Sequence, residues 1–178
     1  TAMLVFGFAV MMVFLVLAAQ YESFLLPLPV LLSLPTGIFG AFFLLSILGL
    51  ENNIYAQIAM LMLIGLLGKN AILIVEFAAQ KHSQGMTALE AAIDGAKLRL
   101  RPILMTSFAF IAGLLPLVIA SGAGAVGNRT IGTAALGGML FGTIFGVIIV
   151  PGLYVAFATL SEKYSNNRKN ENPVTEIL

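Results

Sequence analysis

Apolar residues in this chain run in long blocks instead of alternating with polar ones. Positions 1–21, 23–50, 102–128 and 130–161 hold no charged side chain, and 54–79 is apolar apart from Lys69 and Glu76. A helix crossing a bilayer needs about 20 mainly apolar residues, because the hydrocarbon layer is roughly 30 Å thick and a helix rises about 1.5 Å per residue. The pattern predicts five spanning helices, near 2–20, 26–50, 54–79, 102–120 and 132–158. Membrane strands alternate apolar with polar, whereas 61–67 is apolar throughout. Inside lipid the backbone must bond to itself, so such runs default to helix. The expected class is an all-α membrane protein.

The connections are polar. Residues 20–23 and 50–53 make tight helical hairpins, and 121–132 is rich in glycine. The longer 80–98 stretch places Ala88, Leu89, Ala91, Ala92, Ile93 and Ala96 at helical spacing, with Glu90, Asp94 and Lys97 elsewhere on the turn. That pattern predicts an amphipathic helix near 86–97, lying along the membrane surface. Residues 162–178 form a polar, asparagine-rich tail with a disordered composition. Lysine and arginine gather on one side: Lys81, Lys97, Arg99 and Arg101 in one connection, and Lys163, Arg168 and Lys169 in the tail. The opposite side has Arg129. Basic residues favour the cytoplasmic face, so the N-terminal end is expected outside and the C-terminal tail inside.

Composition sharpens this picture. Of 178 residues, 60% are hydrophobic and 10% charged, against roughly 45–50% and about 25% in soluble domains. A water-soluble enzyme is thereby excluded. The formal net charge of +1 gives no electrostatic footprint for nucleic acid. The absence of cysteine removes disulfides, thiolate metal sites and thiol nucleophiles. Neither a phosphate loop nor a hydrolase or metalloprotease motif is present, and no metal or cofactor site is expected. Because the chain opens on Thr1 inside an apolar run, it reads as a piece of something larger.

The costly residues carry the candidate chemistry. Lys69 lies deep in the third span, where a lysine costs roughly 2.5–3.5 kcal/mol on insertion scales. It is either a structural ion pair locking two helices or a cation that responds to protonation of a nearby carboxylate. Glu76 falls about 20° away on the same helix face, but about 10 Å along the axis, too far for a salt bridge. It suits a water-accessible interfacial residue or a partner for Arg99 or Arg101. On position alone those arginines are snorkelling anchors. Thr106 shares a face with Arg99, seven residues on, and a membrane threonine most often bonds its own backbone. Asn70 is a polar neighbour of Lys69, His82 is a solvated loop residue, and Met60, Met62 and Met105 suit core packing. Gly138, Gly142 and Gly146 leave one face of the last span bare for close helix approach. Pro102 suits the first turn of the fourth span, while Pro35 and Pro151 would kink their helices.

Two segments carry a family resemblance: Gly68-Lys69-Asn70-Ala71-Ile72-Leu73-Ile74-Val75-Glu76-Phe77-Ala78 and Arg99-Leu100-Arg101-Pro102-Ile103-Leu104-Met105-Thr106-Ser107. With Ala18-Ala19-Gln20-Tyr21-Glu22-Ser23-Phe24 and Gly113-Leu114-Leu115-Pro116-Leu117-Val118, the chain resembles the resistance-nodulation-division transporters. Within that superfamily it is similar to the hydrophobe and amphiphile efflux branch, the AcrB-like multidrug pumps of Gram-negative inner membranes. The resemblance implies the last five spans of a twelve-span proton/drug antiporter that exports hydrophobic and amphiphilic compounds through porter domains outside this chain. It implies a homotrimer working with a periplasmic adaptor and an outer-membrane channel. It further implies a proton relay of Lys69, Arg99 and Thr106; Asn70 and Glu76 are supporting candidates from their place on the same span. In that family the lysine pairs with two aspartates of an earlier span, whereas the single aspartate here is Asp94. The chain alone is therefore expected neither to transport nor to fold stably. Rival readings are a related exporter of lipid or protein and a truncated, non-transporting membrane protein.

Overall fold

The computed structural model describes residues 2–21, 24–25 and 27–171. Among them the secondary structure is five helices: α1 (Ala2–Tyr21), α2 (Pro27–Ile47), α3 (Ile54–Ser83), α4 (Ala88–Val118) and α5 (Ala125–Glu171). All five are long and apolar enough to cross a membrane. Their starts follow local chemistry. Pro27 and Pro29 occupy the first turn of α2, where a missing N–H is harmless. Asn53 caps α3, its Oδ1 accepting from the amides of Tyr55 (3.0 Å) and Ala56 (3.2 Å). Thr87 and Glu90 form a reciprocal capping box at the start of α4. The tight α3–α4 turn passes through Gly85 at φ +97°, a region closed to most L-residues.

α5 is the central element, packed against α2, α3 and α4, whereas α1 touches only α2 and α3 among the described residues. The α2–α5 approach brings backbone to backbone. A Cβ on Gly137 would sit 2.5 Å from the carbonyl oxygen of Gly40 and 2.7 Å from Cβ of Leu44. Gly138 and Gly142 likewise face Leu63 and Leu67 of α3, so the glycine stripe is a packing surface. Gly146 differs, because a Cβ there meets open space. Two apolar cores result. One contains Leu34, Leu45, Met60, Leu63, Leu114 and Met139, and the other contains Leu17, Val30, Ile74, Ile103, Val150 and Tyr154.

Several expectations need correction. The segment near 86–97 is the opening of α4, continuous with the fourth span. Its Ala88, Ala91, Ala92 and Gly95 are buried, and the Gly95 backbone approaches Ala78 of α3. An alanine face that nests on a neighbouring helix reads in sequence like one that lies on lipid. Pro102 consequently falls inside α4 rather than at its start. The tail expected to be disordered from 162 continues α5 as helix to Glu171, because extending a formed helix needs no new nucleus. Residues 172–178, and the 22–23 part of the first hairpin, lie outside the described residues.

His82 is not a solvated loop residue. It lies in the last turn of α3, with Nδ1 2.9 Å from the Met86 carbonyl oxygen and Nε2 3.0 Å from Oε1 of Glu162 on α5. Beside it, Lys81 Nζ lies 3.8 Å from Oδ2 of Asp94 on α4. These two pairs fasten the basic end of the bundle. Met60 is core, as expected, but Met62 and Met105 point outward.

Two outcomes test the packing. In a full-length transporter carrying this segment, Gly137→Ala should destabilise the detergent-solubilised protein by about 1–3 kcal/mol through overpacking, while Gly152→Ala, with open space around its Cβ, should leave the unfolding temperature unchanged or raise it. Thr87→Ala should cost about 1 kcal/mol at the start of α4, read as faster hydrogen exchange in its first turn.

Candidate functional site

Two helix faces meet at a cleft of about 300 Å³. From α3 come Leu66, Lys69, Asn70 and Leu73, spaced three and four apart and so aligned on one face. From α4 come Arg99, Pro102, Ile103, Thr106 and Phe110 at the same kind of spacing, and Met139 of α5 adds to the lining. The i, i+7 relation between Arg99 and Thr106 thus becomes a shared wall. Lys69, Asn70, Arg99 and Thr106, distant in sequence across two helices, border one space.

Their surroundings differ. The Lys69 side chain is exposed at the cleft instead of buried within this chain. Among the described residues no carboxylate pairs with it; Asp94 lies against Lys81 and Glu162 against His82. Arg99 is half-buried, its guanidinium carbon 4.7 Å from the centroid of the Phe77 ring. A cation over an aromatic face gains about 0.5–2 kcal/mol, which holds the group at the edge of the cleft without neutralising it. Thr106 Oγ1 donates to the carbonyls of Pro102 (3.2 Å) and Ile103 (3.0 Å), as expected for a membrane threonine. Its proton is engaged by the backbone, so its oxygen faces the cleft as an acceptor.

Three buried polar atoms lack a hydrogen-bond partner among the described residues: Asn70 Nδ2, Arg99 Nε and Thr133 Oγ1. Two of the three belong to cleft residues, and both are donors. The cleft therefore presents two cations and spare N–H groups, and no acid lines it. Such a surface suits an anionic partner.

Glu76 is not part of this arrangement. It is exposed, absent from the cleft lining, and pairs with neither Arg99 nor Arg101. The axial rise from Lys69 carries it past the cleft, and Arg99 lies on Phe77 instead. Arg101 is also exposed, since two residues on from Arg99 is roughly 200° around the helix.

Phe77, Ser33, Ser107 and Thr143 were not identifiable as site neighbours. Ser107 and Thr143 form a buried hydroxyl pair 2.9 Å apart between α4 and α5. Nothing in local spacing relates residues 36 positions apart, so no sequence signal could have paired them.

Comparison with known proteins places this geometry. Residues 1–158 match the model of the AcrB/AcrD/AcrF family. The toluene efflux pump membrane transporter TtgB of Pseudomonas putida (strain DOT-T1E) is 48% identical over 170 residues, covering 94% of this chain and 16% of that protein. Multidrug resistance protein MdtF of Escherichia coli (strain K12) is 45% identical over 160 residues, covering 89% of this chain and 15% of that protein. The toluene efflux pump membrane transporter TtgE of Pseudomonas putida (strain DOT-T1E) is 44% identical over 163 residues, covering 91% of this chain. The chain thus spans about one sixth of the length of the relatives it matches. With a match over nearly all its helical length, and five apolar helices to carry it, this chain belongs to the AcrB/AcrD/AcrF family.

Proposed function

We propose that this chain is the C-terminal membrane portion of a proton-driven inner-membrane transporter that exports hydrophobic and amphiphilic compounds. The observation that carries the reading is the cleft bearing Lys69 and Arg99, open at the surface of the chain and lined by no acid. Two cations on membrane helices are tolerable only with countercharge, because an unpaired charge in hydrocarbon costs several kcal/mol. That countercharge comes from carboxylates on spans of the same transporter outside this chain.

The chemistry follows from the groups present. Ionised carboxylates in the cleft hold the Lys69 ammonium by Coulomb attraction, strongest where water is scarce. A proton arriving on a carboxylate removes that attraction. Lys69 then turns to the free acceptor oxygen of Thr106, while Arg99, fixed on Phe77, keeps the site electropositive and favours reloss of the proton. Each charge state prefers a different packing of α3 and α4, and that two-state element transmits proton binding to substrate-carrying domains. The end bearing Lys81, Lys97 and Lys163 faces the cytoplasm on this reading, in keeping with its basic charge. The assembly is a homotrimer acting with a periplasmic adaptor and an outer-membrane channel. Relatives named for toluene, solvent and multidrug efflux support that substrate class.

The test uses a chimaera in which this chain replaces the matching segment of TtgB, reconstituted in proton-tight vesicles. Lys69→Met should reduce pH-gradient-driven efflux about tenfold or more, within the roughly 5- to 150-fold range of energetic coupling between sites, at unchanged expression. Thr106→Val should do likewise and Thr106→Ser should retain activity. Full efflux in Lys69→Met would overturn the proposal.

A further inference from the structure

Where the two apolar cores adjoin, four helices each contribute a polar side chain. On α2, Ser33 lies between Val30 of one core and Leu34 of the other; on α3, Asn70 lies between Leu67 and Ala71. On α4, Ser107 lies between Ile103 and Leu114; on α5, Thr143 lies between Met139 and Val150. Ser33, Ser107 and Thr143 are buried. A small cavity of about 10 Å³ opens among these side chains, lined by Ser33, Asn70 and Thr143 with apolar neighbours. That volume matches the roughly 10–15 Å³ one water molecule requires.

The hydrogen-bond inventory of these side chains is incomplete. Ser33 Oγ donates to the Val30 carbonyl at 2.7 Å, which leaves its oxygen lone pairs as acceptors. Thr143 Oγ1 is shared with Ser107 Oγ alone. Asn70 Nδ2 is a buried donor without a protein acceptor. A donor taken out of water and left unmet is unfavourable, so an acceptor is expected beside it. Asn70 also lines the Lys69–Arg99 cleft, so with Ile103 it borders both cleft and cavity.

We propose that this polar cluster binds one water molecule, which accepts from Asn70 Nδ2 and donates to the hydroxyl oxygens of Ser33 and Thr143. The bridged water fixes the Asn70 amide and with it the turn of α3 that carries Lys69. Ser33, Ser107 and Thr143 are then positioning residues, tying the cleft face of α3 to α2, α4 and α5. The charged groups bordering Asn70 are Lys69 of α3 and Arg99 of α4, and neither α2 nor α5 adds a titratable side chain to either lining. The positional role rests on the proposed function of the cleft, whereas the water site stands on the cavity and the unmet donor.

The test combines a direct and a functional readout on the same TtgB chimaera. High-resolution density should show one water within hydrogen-bond distance of Asn70, Ser33 and Thr143. Gly146 lies at the middle of the α5 face that lines the cavity and has room for a Cβ, so Gly146→Ala should expel that water while the helices stay in place. Thr143→Val should lower efflux about fivefold, the low end for coupled sites, and Thr143→Ser should restore it. An empty cavity in the parent, or density that survives Gly146→Ala, would overturn the water site. Water present with Thr143→Val at full activity, or Thr143→Ser as impaired as Thr143→Val, would overturn the positioning role. If efflux in the parent proves independent of a pH gradient, the cleft reading fails while the density still decides the water.

Discussion

A charged ammonium on a helix surrounded by hydrocarbon sets the terms for the rest of this molecule. Lys69 sits among Leu66, Leu67, Ile72 and Leu73, where solvation is poor and a lone charge is costly. The fold meets this constraint by turning the residue away from both apolar cores, toward a cleft whose other polar members are also donors or acceptors. Placing Arg99 on Phe77 secures a second cation without spending an acid on it. A cleft kept electropositive in this way is complementary to an anionic partner.

Packing around the cleft is uneven, and the unevenness has a use. The α2–α5 contact is a glycine interface in which backbones touch and side chains cannot yield. Both α3 and α4, which carry the cleft, rest on α5. On the proposed mechanism, a change in cleft charge acts on two helices braced by a stiff pair. Rigid packing of that kind favours discrete alternatives over gradual deformation. α1 stands apart, with Met3, Leu4, Phe8 and Val16 exposed, as suits a helix facing lipid or a further helix.

At the basic end, the pairs Lys81–Asp94 and His82–Glu162 join α3 to α4 and α3 to α5. Both include half-exposed groups, so each contributes little energy alone. Their place is what matters, since they link the end of α3 to α4 and α5 beside the short α3–α4 turn.

Length, hydropathy and composition determined the class of this protein and the number of its spans, because helices in lipid are dictated by backbone satisfaction over about 20 residues. The cost of a mid-span lysine singled out Lys69, and the family resemblance singled out Arg99 and Thr106; tertiary structure then gathered these onto one cleft. The starts of the first three helices were legible, whereas the start of α4, both ends of α5 and the helix pairings were not. The alanine face of 88–96 signals an interface without saying whether lipid or α3 covers it, and only packing on Ala78 decided. Glu76 was a candidate by helical phase, but depth along the axis, which depends on where α4 crosses, removed it. Asn70 gained its significance from Ser33 and Thr143, whose proximity arises from α2 and α5 closing over glycine. One-dimensional periodicity reports which face of a helix is apolar, and the identity of the neighbour on that face is a property of the assembled bundle.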